Sequence, residues 1–168
     1  MTNPNNIVRL HSRTGGRGSV FEANLWAQVY DNGILTGSGV TAAGDLSVTV
    51  GGSASCPDVI IALNPADYKI ALDLVGEATL TLTAPSSNSK ICAVVAYTDD
   101  LALQSSDSTS PGNPSSCGLI VVNGTAAASP TAPTDTQIRD AITADGATGS
   151  KATYAIIAFI TVASTTTA

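Results

Sequence analysis

Apolar and polar positions alternate in two rhythms along this chain. Between Ser19 and Tyr30, Phe21, Leu25 and Val29 recur every four residues with Trp26 and Tyr30 beside them, which predicts one apolar stripe on a short helix. Ser19 with Glu22 three residues on fits a capping box, and Asn32-Gly33 stops the helix. From Ile34 the period becomes two. Asp45 to Val50 alternates and ends at Gly51-Gly52, Val59 to Leu63 stops at Asn64-Pro65, and Tyr68 to Leu74 follows. Ala78 to Thr83 then alternates leucine with threonine. Ile91 to Tyr97 is almost continuously apolar, the pattern of a central strand covered on both faces.

After Tyr97 the pattern breaks. Residues 99–116 open with Asp99-Asp100 and continue rich in Ser, Asn, Pro and Gly, which predicts a long exposed loop. Leu119 to Val122 reads as a strand running into the turn pair Asn123-Gly124. An Ala/Pro linker, 126–133, leads to a helix that starts at Thr134-Asp135, runs through Ile138, Ala141 and Ile142, and ends by Gly146. Thr153 to Val162 is the last strand, expected to be buried. Short strands separated by turn residues predict a mainly β fold, a β-sandwich or small barrel, taken here as an antiparallel β-sandwich of jelly-roll-like form with one or two short helices. Residues 1–20, with Asn-Pro-Asn-Asn and Gly15-Gly16-Arg17-Gly18, read as an extended basic arm, 21–163 as the domain and 164–168 as a fraying tail.

Composition narrows the function classes. Of 168 residues only 12% are charged, against a usual ~25%, and small residues take their place. The longest strongly apolar run, Ala155 to Ile160, is far short of the ~20 residues of a membrane helix, so no membrane insertion is expected. Met1 to Asn6 shows neither the cationic start nor the apolar stretch of a secretory signal. The three cysteines, Cys56, Cys92 and Cys117, form no C-x-x-C pair and are expected as small buried thiols. Charge is uneven: the residues before Ser19 hold Arg9, Arg13 and Arg17 and no acid, whereas the rest holds four bases against 13 acids, for a net −6. Nucleic-acid binding needs a broad basic surface, which this acidic body denies it. An arm that docks on the acidic face of a neighbouring copy accounts for the same charges.

Candidate chemistry is sparse. The single histidine, His11, lies in the arm, with no G-x-S-x-G elbow in the chain and no second histidine for a zinc site. Gly15 to Gly18 lacks the strand and the Gly-Lys-Ser/Thr ending of a phosphate loop, so it reads as a hinge. Asp99, Asp100 and Asp107 form a candidate ligand loop without the alternating ligands and glycine of a calcium site. Trp26, Tyr30, Tyr68, Tyr97 and Tyr154 are candidates for stacking on sugar, although Trp26 lies on the packing stripe. Asn123-Gly124-Thr125 matches a glycosylation pattern, with the turn as its plainer reading. No catalytic residue, metal or cofactor is expected.

Several segments together carry a resemblance. Val40 to Val50, the Leu80-Thr81-Leu82-Thr83 strand and Ile91 to Tyr97 form one half; Gly118 to Thr134, Ile138, Ile142 and the closing Tyr154 to Val162 strand form the other. This order resembles the N-terminal shoulder module of baseplate and receptor-binding tail proteins from phages of Gram-positive bacteria, where a V-x-G-T-x-A-x-P-x-A-P stretch precedes a final strand. The resemblance spans roughly residues 21–163 and implies a β-sandwich that trimerises and attaches an appendage to the virion. A receptor-binding head usually follows the module there, whereas this sequence ends at Ala168, which favours an adaptor or fibre-base role. The expected protein is thus a non-enzymatic phage virion component, assembled in the bacterial cytoplasm, working as a homo-oligomer beside other virion proteins. Its interface residues would be Arg9, Arg13, Arg17, Phe21, Leu25, Trp26 and Val29. The alternatives are a module that binds host cell-wall carbohydrate, or a head-fibre or decoration protein.

Overall fold

The computed structural model describes residues 7–9, 33–36, 40–43, 46–51, 59–63, 70–74, 78–99, 117–147 and 152–164. They form a mainly β structure of antiparallel sheets with one helix. The strands are β1 (Ile7–Arg9), β2 (Gly33–Thr36), β3 (Val40–Ala42), β4 (Ser47–Val50), β5 (Val59–Leu63), β6 (Ile70–Leu74), β7 (Ala78–Thr81), β8 (Lys90–Asp99), β9 (Cys117–Asn123) and β10 (Ala152–Val162), with helix α1 (Asp135–Ala144) between the last two. They hydrogen-bond as β3-β4-β7, as β10-β8-β9, and as β1-β6-β5-β2. Within the expected arm, Ile7–Arg9 is extended and pairs with β6 of the same chain, Arg9 opposite Leu72.

The core is organised around β8. Cys92, Val94 and Ala96 point to one face, where they pack with Val48, Val50, Ala78, Leu80, Leu82, Leu119, Ala155 and Val162. Ala93, Val95 and Tyr97 point to the other, packing with Val122, Ile138, Ile142, Ala147 and Ala152. Where both faces of a strand are covered, solvent calls for no alternate polar positions, which is why Ile91 to Ala96 lacks alternation. β7 shows the opposite case: Ala78, Leu80 and Leu82 are buried while Thr79, Thr81 and Thr83 face solvent.

Two strand expectations are corrected. The alternation from Asp45 suggests a strand starting there, but Leu46 sits in a turn at φ 51° and β4 begins at Ser47. The last strand is not uniformly buried. Opposite β8, Ile156 pairs with Val95 and Ala158 with Val94, so Ile157 is an inserted bulge residue. The bulge shifts the inside–outside phase by one. It turns Ala158, Ile160 and Val162 toward the aliphatic core and leaves Phe159 56% exposed.

Helix α1 is bounded by its own sequence. Thr134 caps it, its Oγ1 accepting from the Gln137 N–H at 3.3 Å while the Gln137 side chain accepts from the Thr134 N–H at 2.9 Å. At the other end Gly146 adopts φ 97°, its N–H donating to the Thr143 carbonyl and that of Ala147 to the Ile142 carbonyl. This is a Schellman ending, and Ala147 packs with Ile142 in the same apolar cluster. Ile138 and Ile142, on one side of the helix, are buried against the sheet. No described helix is long and apolar enough to cross a membrane.

Candidate functional site

Polar side chains gather at two places on the β10-β8-β9 sheet. The first is its helix-covered face. Tyr97 is fully buried there, and its hydroxyl donates to Asp145 Oδ2 at 2.5 Å, just past the end of α1. The ring fits because its cross-strand partner is Gly118: a Cβ at that position would lie 2.5 Å from the ring. An aspartate at a helix C-terminus opposes the helix dipole, and the tyrosine hydroxyl compensates for it. At the start of the helix, Tyr154 of β10 donates to Asp135 Oδ1 at 2.6 Å. Arg139 donates from Nε to the same carboxylate at 2.9 Å, reaches the Ala152 carbonyl at 3.2 Å, and lies 5.5 Å from the centre of the Tyr154 ring.

These contacts set the ionisation of the group. The Tyr154 hydroxyl bond, and secondarily Arg139, hold Asp135 below the usual carboxylate range. Tyr154 is pushed up to about 12, first by burial and then by the neighbouring carboxylate. Both groups therefore stay in their resting forms near neutrality: a phenol this reluctant to ionise is a poor proton donor and this carboxylate a poor proton acceptor. The arrangement is suited to clamping α1 at both ends rather than to moving protons.

The second cluster lies at the start of β8. Lys90 is only 6% exposed, and its Nζ donates to Asn123 Oδ1 at 2.7 Å. Cys92, directly opposite Asn123 in the register, donates its S–H to the same oxygen at 3.4 Å. Burial raises the Cys92 pKa, with Lys90 and a backbone hydrogen bond pulling the other way. Beyond Asn123 the chain passes so close to its neighbours that a Cβ on Gly124 would lie 2.4 Å from the Ile91 carbonyl oxygen. The Gly124 N–H donates to that oxygen at 2.9 Å.

The residues singled out from sequence are only partly placed. Arg9 lies on β1, and Asp99 ends β8 opposite Ala152. Arg13, Arg17, Phe21, Leu25, Trp26, Val29, Asp100 and Asp107 lie outside the described residues, as do His11, Trp26 with Tyr30, and the capping box at Ser19. Tyr97, buried, is removed from the set of sugar-stacking candidates, and the Tyr154 ring is already occupied by Arg139. Cys92 is a buried free thiol, as expected. Among the described residues no group of acids, histidines or cysteines could hold a metal ion. Sequence reading passed over Lys90 and Arg139. The four-residue spacing of Asp135 and Arg139 was a legible signal, whereas only the strand register brings Lys90 to Asn123. Compared with known proteins, the chain matches no family model, no curated sequence and no solved structure.

Proposed function

We propose that this chain is a non-enzymatic structural component of a phage virion, a tail, baseplate or fibre-base protein that works as a homo-oligomer, in the reading a trimer. In this reading the sheets form a jelly-roll-like sandwich, and the arm's Arg9, Arg13 and Arg17 pair with acidic surface on a neighbouring copy. The observation that carries it is the charge division: three arginines and no acid before Ser19, and four bases against 13 acids after it. The described surface adds support. Its large exposed hydrophobics are Leu46, in a turn, and Phe159, which the bulge turns outward on β10, the outer strand of its sheet among the described residues. An aromatic held out from a sheet face suits contact with another chain. The polar clusters fit the same reading, since each ties secondary structure together.

The test is the solution mass of the full chain at low and high salt, beside a variant carrying Arg9→Gln, Arg13→Gln and Arg17→Gln. An oligomer that dissociates in salt, and that the triple variant fails to form, supports the reading. A monomer at high concentration and low salt overturns it. Retention of the isolated protein on host cell wall would favour the carbohydrate-binding alternative.

A further inference from the structure

We propose that Lys90 and Asn123 form an intramolecular isopeptide cross-link, joining β8 to β9 through their side chains. The proposal stands independently of the assembly reading and rests on the geometry of the second cluster. On antiparallel strands a long side chain reaches the diagonal neighbour of its own face. Asn123 is opposite Cys92, and Lys90 lies two positions along β8 on that face. Lys90 Nζ lies 2.7 Å from Asn123 Oδ1. A carbonyl bond is about 1.23 Å long, so Asn123 Cγ is no farther than about 3.9 Å from the amine. Near-attack separations are about 3–3.5 Å, a small rotation of the amide away.

The surroundings favour the step. Lys90 is a buried cation, and among the described residues no carboxylate pairs with it. An amide in its place removes a charge from a buried position. The Cys92 S–H donates to the carbonyl oxygen under attack, at 3.4 Å, which polarises it. Burial raises the thiol's pKa and keeps that proton on sulfur, so the donor persists. Asn123 is itself exposed, which gives the leaving group a way out.

The reaction balances without an oxidant or a second reactant. The Lys90 ammonium gives one proton to water, and the free amine attacks Asn123 Cγ. The Cγ–Nδ2 bond breaks as the Nζ–Cγ bond forms, and the amide nitrogen, taking the attacking amine's second proton, leaves as ammonia. That ammonia takes up the proton, so an ammonium ion carries the lysine's charge into solvent and a secondary amide remains. A competing loss of ammonia starts from the same asparagine, attack by the Gly124 backbone nitrogen to give a succinimide. Here that N–H is held by the Ile91 carbonyl at 2.9 Å, which disfavours the competitor.

The experiment is mass spectrometry of the full chain, denatured after purification, with peptide mapping. The expected intact mass is lower than the sequence mass by one ammonia, with Lys90 and Asn123 recovered in one branched peptide and trypsin failing to cut at Lys90. Lys90→Met and Asn123→Ala should each restore the full sequence mass of the variant, and Cys92→Ala should slow ammonia loss several-fold. If a variant does not fold, the wild-type peptide map decides alone. Full mass after prolonged incubation, with Lys90 still labelled by an amine reagent, overturns the proposal. So does ammonia loss that leaves Lys90 free, the mark of the succinimide.

Discussion

The two faces of the β10-β8-β9 sheet are held by different means. One packs mainly through aliphatic contacts, Val94 and Ala96 meeting Val48, Val50, Leu80 and Leu82, with the Lys90 and Cys92 bonds to Asn123 at its end. The other buries Ile138 and Ile142 as well, but adds Tyr97 bonded to Asp145 and Tyr154 bonded to Asp135. The layer whose position depends on directional bonds is the helical one. β4 and β7 are fixed in register by their own ladder. A ten-residue helix has no such partner and is marginal by itself, so its place depends on what the sheet offers it. Apolar contact alone would let it slide; a hydroxyl at each end does not.

That contrast can be broken most severely at Tyr97. Tyr97→Ala should cost about 3–5 kcal/mol, as other buried aromatic truncations do, and hydrogen exchange should rise first in α1 rather than in β4 and β7. Leu80→Ala, on the aliphatic face, should destabilise the chain without that selective opening of the helix. Next is Gly118→Ala, which forces a methyl into the Tyr97 ring; about 1–3 kcal/mol of overpacking is expected in a denaturant titration.

Finer changes sharpen the comparison. Tyr97→Phe keeps the packing and removes only the donor to Asp145, for about 1.5 kcal/mol. Thr134→Ala removes the cap of α1 and should cost about 1 kcal/mol, again seen first as helix fraying. Smallest is the pH dependence of the Asp135–Tyr154 clamp. Folding lowers the pKa of Asp135, so its contribution is full above the ordinary 3.8 and fades as pH falls below that value. Folding raises Tyr154 from 10.0 to about 12, so its contribution is full below pH 10 and is lost between there and about 12. Denaturant midpoints across pH should show both losses in the wild type, and Tyr154→Phe should abolish the alkaline one.

Much of the secondary structure could be read from residue order. Val59 to Leu63 forms the strand its apolar run suggests, and the double-faced burial of β8 follows from the unbroken Ile91 to Tyr97. Thr134 and Gly146 bound α1 where their chemistry places them, because capping is a contact between near neighbours. The exposure of Phe159 was not legible. Its run reads as uniformly apolar, and a one-residue bulge is set by the fit of two strands. Leu46 misled for a similar reason: an exposed leucine at positive φ is held by its carbonyl, which accepts from the distant Leu82 N–H at 2.7 Å.

Residue order alone sets the local periods, the helix caps and the uneven charge, since each depends on composition or on residues a few positions apart. Which side chains meet is settled by packing in three dimensions: Lys90 with Asn123, Tyr97 with Asp145, Tyr154 with Asp135. Those pairs are 33, 48 and 19 positions apart along the chain. No short-range preference reaches that far; strand register and the seat of one helix bring them together.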